Sequence, residues 1–135
     1  MEKVKSSTRK VFETLRINFL SMFDLLSRKE KYSEYIEKTT DVEIAKALSW
    51  EVLELIEELE KWENEKARGE LNDVIYMLWQ LMIKMDQTWK LDWFETFWKD
   101  QKDKIVERSP HLKKCEKISL ETEKAVWRII KSQKK

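Results

Sequence analysis

One glycine and one proline in 135 residues leave a sheet protein without the turn residues its corners need, so the composition excludes most β architectures and predicts an all-α chain. Charged residues make up 39% of the sequence yet balance to a formal net charge of +1, which excludes a strong overall electrostatic pull toward nucleic acid. The length suits a single domain over residues 1–135 with a core of its own.

Taken in order, residues 3–28 carry Val11, Phe12, Leu15, Phe19, Met22, Phe23 and Leu26 at three- and four-residue steps. That is one apolar stripe of an amphipathic helix facing a bundle core. The opening MEKVKSSTRK has charges but no apolar h-region, so no signal peptide is expected. Arg28 to Thr39 reads as a polar connection bearing Tyr32 and Tyr35. Thr40-Asp-Val-Glu43 is a capping box, in which the threonine accepts from the third helical position and the glutamate reaches back. It opens a helix expected to end near Trp62. After a turn near Glu63 to Lys66, with Asn64 able to cap, the next helix runs to about Gln87. Asp92-x-x-Glu95 is a second capping signature, opening a helix from Trp93 to about Glu107 with Phe94, Phe97, Trp98 and Ile105 on its apolar side; Pro110 stops it. Ser119 can cap a last helix, about 119–132, in which Leu120, Val126, Trp127, Ile129 and Ile130 supply the apolar face. The whole reads as a bundle of about five helices. No apolar run approaches the ~20 residues of a membrane span.

Four carboxylates stand out by phase. At about 100° per residue, Leu48, Val52, Leu55, Ile56, Leu59 and Trp62 centre roughly 80° round from Glu51, leaving Glu51 and Glu54 on one edge of the stripe. On the following helix, Leu71, Val74, Ile75, Leu78, Leu81, Met82 and Met85 stand at the same offset from Glu70, with Asp73 on the same edge. A short connection makes the two helices antiparallel, and equal offsets then bring both acidic edges to one side of the hairpin. The levels match as well, Glu51 with Asp73 and Glu54 with Glu70. Convergent carboxylates repel one another and favour a hard cation, magnesium or manganese rather than zinc. Glu58 lies near the same edge as a reserve ligand, whereas Glu57 and Glu60 read as solvated charge.

Glu51-x-x-Glu54, then Glu70-Leu-Asn-Asp-Val-Ile-Tyr-Met-Leu78, resembles the all-α nucleoside triphosphate pyrophosphohydrolases of the MazG type, whose second signature reads ELGDVLxxL. Asp92-Trp-Phe and the segment Asp103-Lys-Ile-Val-Glu-Arg-Ser-Pro-His-Leu112 resemble that family's stretch from an FDF-like helix start to DKLERRHPHVF. The resemblance covers roughly residues 40–112. Trp50 stands where the family's EExxE has its first glutamate, Asn72 where it has glycine, and Ser109 interrupts RRHPH; none of these removes a ligand.

What the resemblance implies is magnesium-dependent hydrolysis of (deoxy)nucleoside triphosphates to monophosphate and pyrophosphate, by a homodimer or pair of dimers; the absence of an apolar h-region or span and the lone cysteine make a cytoplasmic protein the expectation. Glu51, Glu54, Glu70 and Asp73 would hold the ions and one of them receive the water's proton. Lys104 and Arg108, one turn apart, match basic family positions and would bind the phosphate tail. Lys66 and Arg68, near a helix N-terminus, form a second set. Trp50 and Trp62 flank the acidic face and could stack on a base; Tyr35 and Tyr32 lie in the stretch that helps enclose the base in this family. The same fold also fits a narrower substrate, as in dUTPase-like, dCTPase-like or phosphoribosyl-ATP-cleaving relatives.

A non-catalytic helical interaction protein is the competing class. It accounts for the charges and stripes but not for the matched carboxylates. A di-iron bundle wants two Glu-x-x-His motifs, and the chain has only His111. Residues 101–135 carry eleven Lys/Arg against five acids, so a basic end follows an acidic first hundred residues. The single cysteine, Cys115, suits a reducing compartment.

Overall fold

The computed structural model describes residues 2–88, 90–92 and 96–133, with side chains from residue 7 onward. Among these residues every regular element is helical: α1 (Glu2–Tyr32), α2 (Glu34–Lys38), α3 (Asp41–Glu60), α4 (Asn64–Gln87), α5 (Phe97–Arg108), a 3-10 turn (Pro110–Leu112) and α6 (Leu120–Gln133). They form two compact units, Met1–Leu91 and Asp92–Lys135. No helix of the described residues is long and apolar enough to cross a membrane.

In the first unit the α3–α4 hairpin is the most extensively packed pair. Its start is set locally: Thr40 Oγ1 accepts from Glu43 N at 3.1 Å and Glu43 Oε2 accepts from Thr40 N at 2.9 Å, the complete capping box. The turn falls at Lys61–Glu63, slightly earlier than expected. Glu63 is the N-cap of α4, so Asn64 is its first helical residue and makes no cap. Trp62 adopts a left-handed backbone, φ 59°, which ends α3 and reverses the chain.

The connection read over Arg28 to Thr39 is helical instead. α1 continues to Tyr32, and Ser33 caps the short α2 by accepting from Ile36 N at 3.3 Å. Packing draws this stretch into helix. Lys29 donates to Tyr76 Oη and Gln80 Oε1 on α4. Lys84 Nζ donates to Ile36 O at 2.7 Å, and Gln87 Nε2 to Glu30 O at 3.0 Å. These bonds close the ends of α1 and α2 onto α4 and satisfy carbonyls a helix terminus leaves open.

The apolar core is small. Leu26, Ile36, Ile44 and Ile83 are buried together, with Met22, Met77, Trp79 and Leu81 packed against them. Phe19, Phe23 and Trp79 add an aromatic cluster with centroids 4.9 to 6.4 Å apart. Along α1 the expected stripe is buried only at its C-terminal end: Leu26 is inside, whereas Phe12 is 66% exposed and Val11 and Leu15 are exposed too. On the hairpin, Leu59, Ile56, Leu71, Ile75 and Leu78 also keep much of their surface. None of the tryptophans among the described residues is buried.

In the second unit α5 packs on α6 and on the 3-10 turn. The expected capping signature Asp92-x-x-Glu95 runs into residues 93–95, which with Trp93 and Phe94 lie outside the described residues; α5 begins at Phe97 with Thr96 as an N-cap that makes no side-chain bond. Ser119 caps α6 as expected, its Oγ accepting from Thr122 N at 3.2 Å.

Candidate active site

Glu51 and Glu54 project from the middle of α3, Glu70 and Asp73 from the first half of α4. Side-chain oxygens of Glu51, Glu70 and Asp73 all lie within 4.8 Å of one another. Glu54 sits close enough to share a hydrogen bond with both Glu51 and Glu70 when one of the partners is protonated. The four acids selected by helical phase are therefore neighbours in space. The cause is the one the sequence suggests: a tight turn holds two helices antiparallel, and their acidic edges fall at the same level.

The electrostatics follow from that crowding. The Glu70 carboxyl is held above its usual range, first by burial and then by the charges of Glu54 and Asp73. Glu51 is raised for the same reasons, burial leading and Glu54 and Asp73 following. Glu70 Oε2 is shielded from solvent and has no hydrogen-bond partner. An acceptor in that state is what a metal ion or a proton would satisfy. The donor set is all oxygen, with no cysteine or histidine among the clustered ligand atoms, which fits magnesium or manganese. Glu58 is outside the cluster; its Oε1 lies 3.7 Å from Lys61 and its Oε2 is buried without a partner.

Of the base-stacking candidates, Trp50 is exposed beside Glu51 on α3, and Trp62 is 86% exposed at the hairpin tip. Tyr35, on α2, is less exposed than Tyr32 at the end of α1. Lys66 pairs with Glu63 at 3.2 Å at the start of α4. Arg68 is exposed one turn from Glu65, a solvated position.

Lys104 and Arg108 share one face of α5, as their spacing requires, and both line an open cavity of about 510 Å³ in the second unit. Its other walls include Ser109 and, from α6, Glu123, Lys124 and Trp127. Arg108 lies over the Trp127 ring, Cζ 5.6 Å from the centroid, and Lys131 Nζ stands 5.0 Å from the same centroid, both cation–π contacts. Trp127, Lys124 and Glu123 were not singled out from sequence as site residues. The signal was a Glu123–Trp127–Lys131 series at four-residue steps, one helix face, but spacing does not say that this face meets α5.

No family model and no curated protein matches the sequence. Among solved structures, the chain matches a mazG-related protein from Thermotoga maritima with a TM-score of 0.72 and 25% sequence identity, covering 83% of this chain and 97% of that one. The resemblance carried by the two acidic signatures and the Asp103–Leu112 segment thus extends to three dimensions: the chain has the all-α, MazG-like fold.

Proposed function

We propose that the protein is a nucleoside triphosphate pyrophosphohydrolase that cleaves between the α and β phosphates and depends on magnesium, with manganese as a substitute. The observation that carries this is the convergence of Glu51, Glu70 and Asp73, with Glu54 alongside, on an antiparallel hairpin in a MazG-like fold. When bound, magnesium supplies neutralisation of the triphosphate and a coordinated water of lowered pKa. The chain's part is to hold that charge in place. Glu51, Glu54, Glu70 and Asp73 present oxygens from two rigid helices, so little reorganisation is needed at the moment of reaction. One of these carboxylates takes the proton from the attacking water. Lys104 and Arg108 bind the phosphate tail, the arginine through its planar fork. Lys66 and Arg68 are the second-rank cations, and Trp50, Trp62 and Tyr35 the candidates for the base.

Incubation with a panel of ribo- and deoxynucleoside triphosphates plus magnesium, followed by separation of products, tests this directly. Monophosphate and pyrophosphate are expected; orthophosphate with diphosphate as the accompanying product would overturn it. The same panel separates a broad housecleaning enzyme from a narrower dUTPase-, dCTPase- or phosphoribosyl-ATP-directed one. We further infer a homodimer or pair of dimers, supported by the large apolar side chains left exposed along α1, α3 and α4; sedimentation of the full chain tests it, a monomer at micromolar concentration being the contrary result. A nucleotide-pool enzyme of this kind works in the cytoplasm.

A further inference from the structure

Arg108 has an obvious acidic neighbour that it does not use. On α6, Glu123 stands one turn before Trp127, the ring over which the Arg108 guanidinium lies. Residues four apart on a helix are about 5–6 Å from each other, and Glu123 and Arg108 line the same cavity. An arginine and a glutamate so placed would ordinarily form a forked ion pair. Among the described residues no such pair exists. Arg108 Nε is shielded from solvent and lacks a hydrogen-bond partner. Glu123 is engaged elsewhere: its Oε1 stands 3.1 Å from His111 Nε2, at ion-pair distance. His111 comes from the 3-10 turn that follows α5 and is 9% exposed, so its ring is held by its surroundings, whereas the Glu123 side chain is 47% exposed and has room to turn.

We propose that His111 is a positioning residue for anion binding: by holding Glu123, it keeps that carboxylate off Arg108 and leaves the guanidinium free for phosphate. This rests on the reading that the α5–α6 cavity takes the phosphate tail. The physics is competition for one fork. A carboxylate on the guanidinium occupies the same donors, in the same plane, that a phosphate needs. An incoming anion must then displace it, and the displaced Glu123 charge stays nearby. With Glu123 tied to His111, the cations facing the cavity, Lys104 and Arg108 from α5 and Lys124 from α6, meet the anion directly. A purely structural role, in which the His111–Glu123 contact only ties the turn to α6, makes the opposite forecast for the double variant described next.

The experiment measures binding of inorganic tripolyphosphate to the full chain by calorimetry, without metal, so that the carboxylate cluster is not involved. Arg108→Ala should weaken it at least tenfold. His111→Leu, which fills the space but donates no bond, should weaken it by about tenfold, in the range of one charge-assisted hydrogen bond. Adding Glu123→Ala to His111→Leu should restore wild-type affinity or better, because the competitor is gone. His111→Gln, whose amide can replace Nε2 as donor, should stay near wild type, whereas His111→Asn, too short to reach Glu123, should behave as His111→Leu and serves in its place if that variant fails to fold. A double variant as weak as the single one overturns the positioning role, as does wild-type affinity in both His111→Leu and His111→Asn. If Arg108→Ala binds normally, the phosphate reading of the cavity fails instead, and this inference with it.

Discussion

Replacing Glu70 by glutamine separates the electrostatic strain at the hairpin from its use. The substitution keeps the shape and removes one charge from a crowded group. Burial and the Glu54 and Asp73 charges hold the Glu70 carboxyl above its ordinary value, and Glu51 is raised likewise. A carboxyl whose folded pKa exceeds its unfolded one makes the folded chain bind more protons than the unfolded chain, so its contribution is fully favourable below the unfolded pKa and is lost as pH rises through the folded one. Metal-free wild type should therefore lose stability as pH climbs above about 4.5, and Glu70→Gln should melt higher at neutral pH with a flatter decline. Magnesium should reverse the order. At a hundredfold excess over its dissociation constant the ion stabilises the native state by about 2.7 kcal/mol. With an unfolding entropy of about 2.1 cal/mol/K per residue over 135 residues, that is a rise of about 10 °C in Tm. A variant binding tenfold more weakly retains about 1.4 kcal/mol, or about 5 °C. Circular-dichroism melts from pH 4.5 to 8, in chelator and in magnesium, read both effects. A metal-free Glu70→Gln that melts lower than wild type, or an equal magnesium shift in both proteins, would refute the reasoning.

Glu54→Ala or Asp73→Ala should abolish turnover while leaving helical ellipticity unchanged; near-normal rates would place the ion elsewhere. Arg108→Ala should weaken nucleoside triphosphate binding by about ten- to a hundredfold with magnesium affinity unaltered, and Arg108→Lys should recover only part because the fork is lost; separate titrations of nucleotide and of metal decide this. Ile44→Ala, at a side chain with 0% exposure, should cost about 2–5 kcal/mol in urea unfolding, and a cost below about 1 kcal/mol would mean that the core is not where Leu26, Ile36 and Ile83 put it. Trp62→Gly, at φ 59° and 86% exposed, should stabilise by about 1 kcal/mol, the relief of left-handed strain outweighing glycine's extra unfolded-state entropy; a lower melting temperature would refute this.

What was legible in the sequence was what depends on neighbours along the chain. The Thr40–Glu43 capping box closes over three residues and forms as read. The carboxylate cluster was legible because two helices and one tight turn suffice to build it, so phase alone brings Glu51 beside Asp73. The α1 stripe shows the limit of periodicity. It identifies a face but not what covers it, and only the end near Leu26 is covered within the chain. The stretch from Arg28 to Thr39 looked like a connection because its residues are polar. Its helical state depends on bonds from Lys29, Lys84 and Gln87 that span about fifty residues of sequence, which no local signal announces. The cavity of the second unit was half legible: Lys104 and Arg108 share a face by spacing, but the arrival of Glu123 and Trp127 depends on how the chain turns after Pro110.

The Thr40 cap also fixes how the chain can change length. It is the origin from which α3 is counted, and Ile44, buried one turn on, clamps the rotation of the helix about its axis. Glu51 lies eleven residues past that origin. A single residue inserted between Ile44 and Glu51 would turn both α3 carboxylates by about 100° and carry them off the edge they share with Glu70 and Asp73. Inserting four would bring them back to within about 40° but slide them about 6 Å along the axis, past their opposite numbers. Neither error can be repaired by moving a side chain. Insertions just beyond Glu60, in the turn at the hairpin tip, leave both counts intact. Length variation compatible with this site is therefore confined to that turn and to segments outside the hairpin, while α3 and the first half of α4 admit substitutions but no change in number.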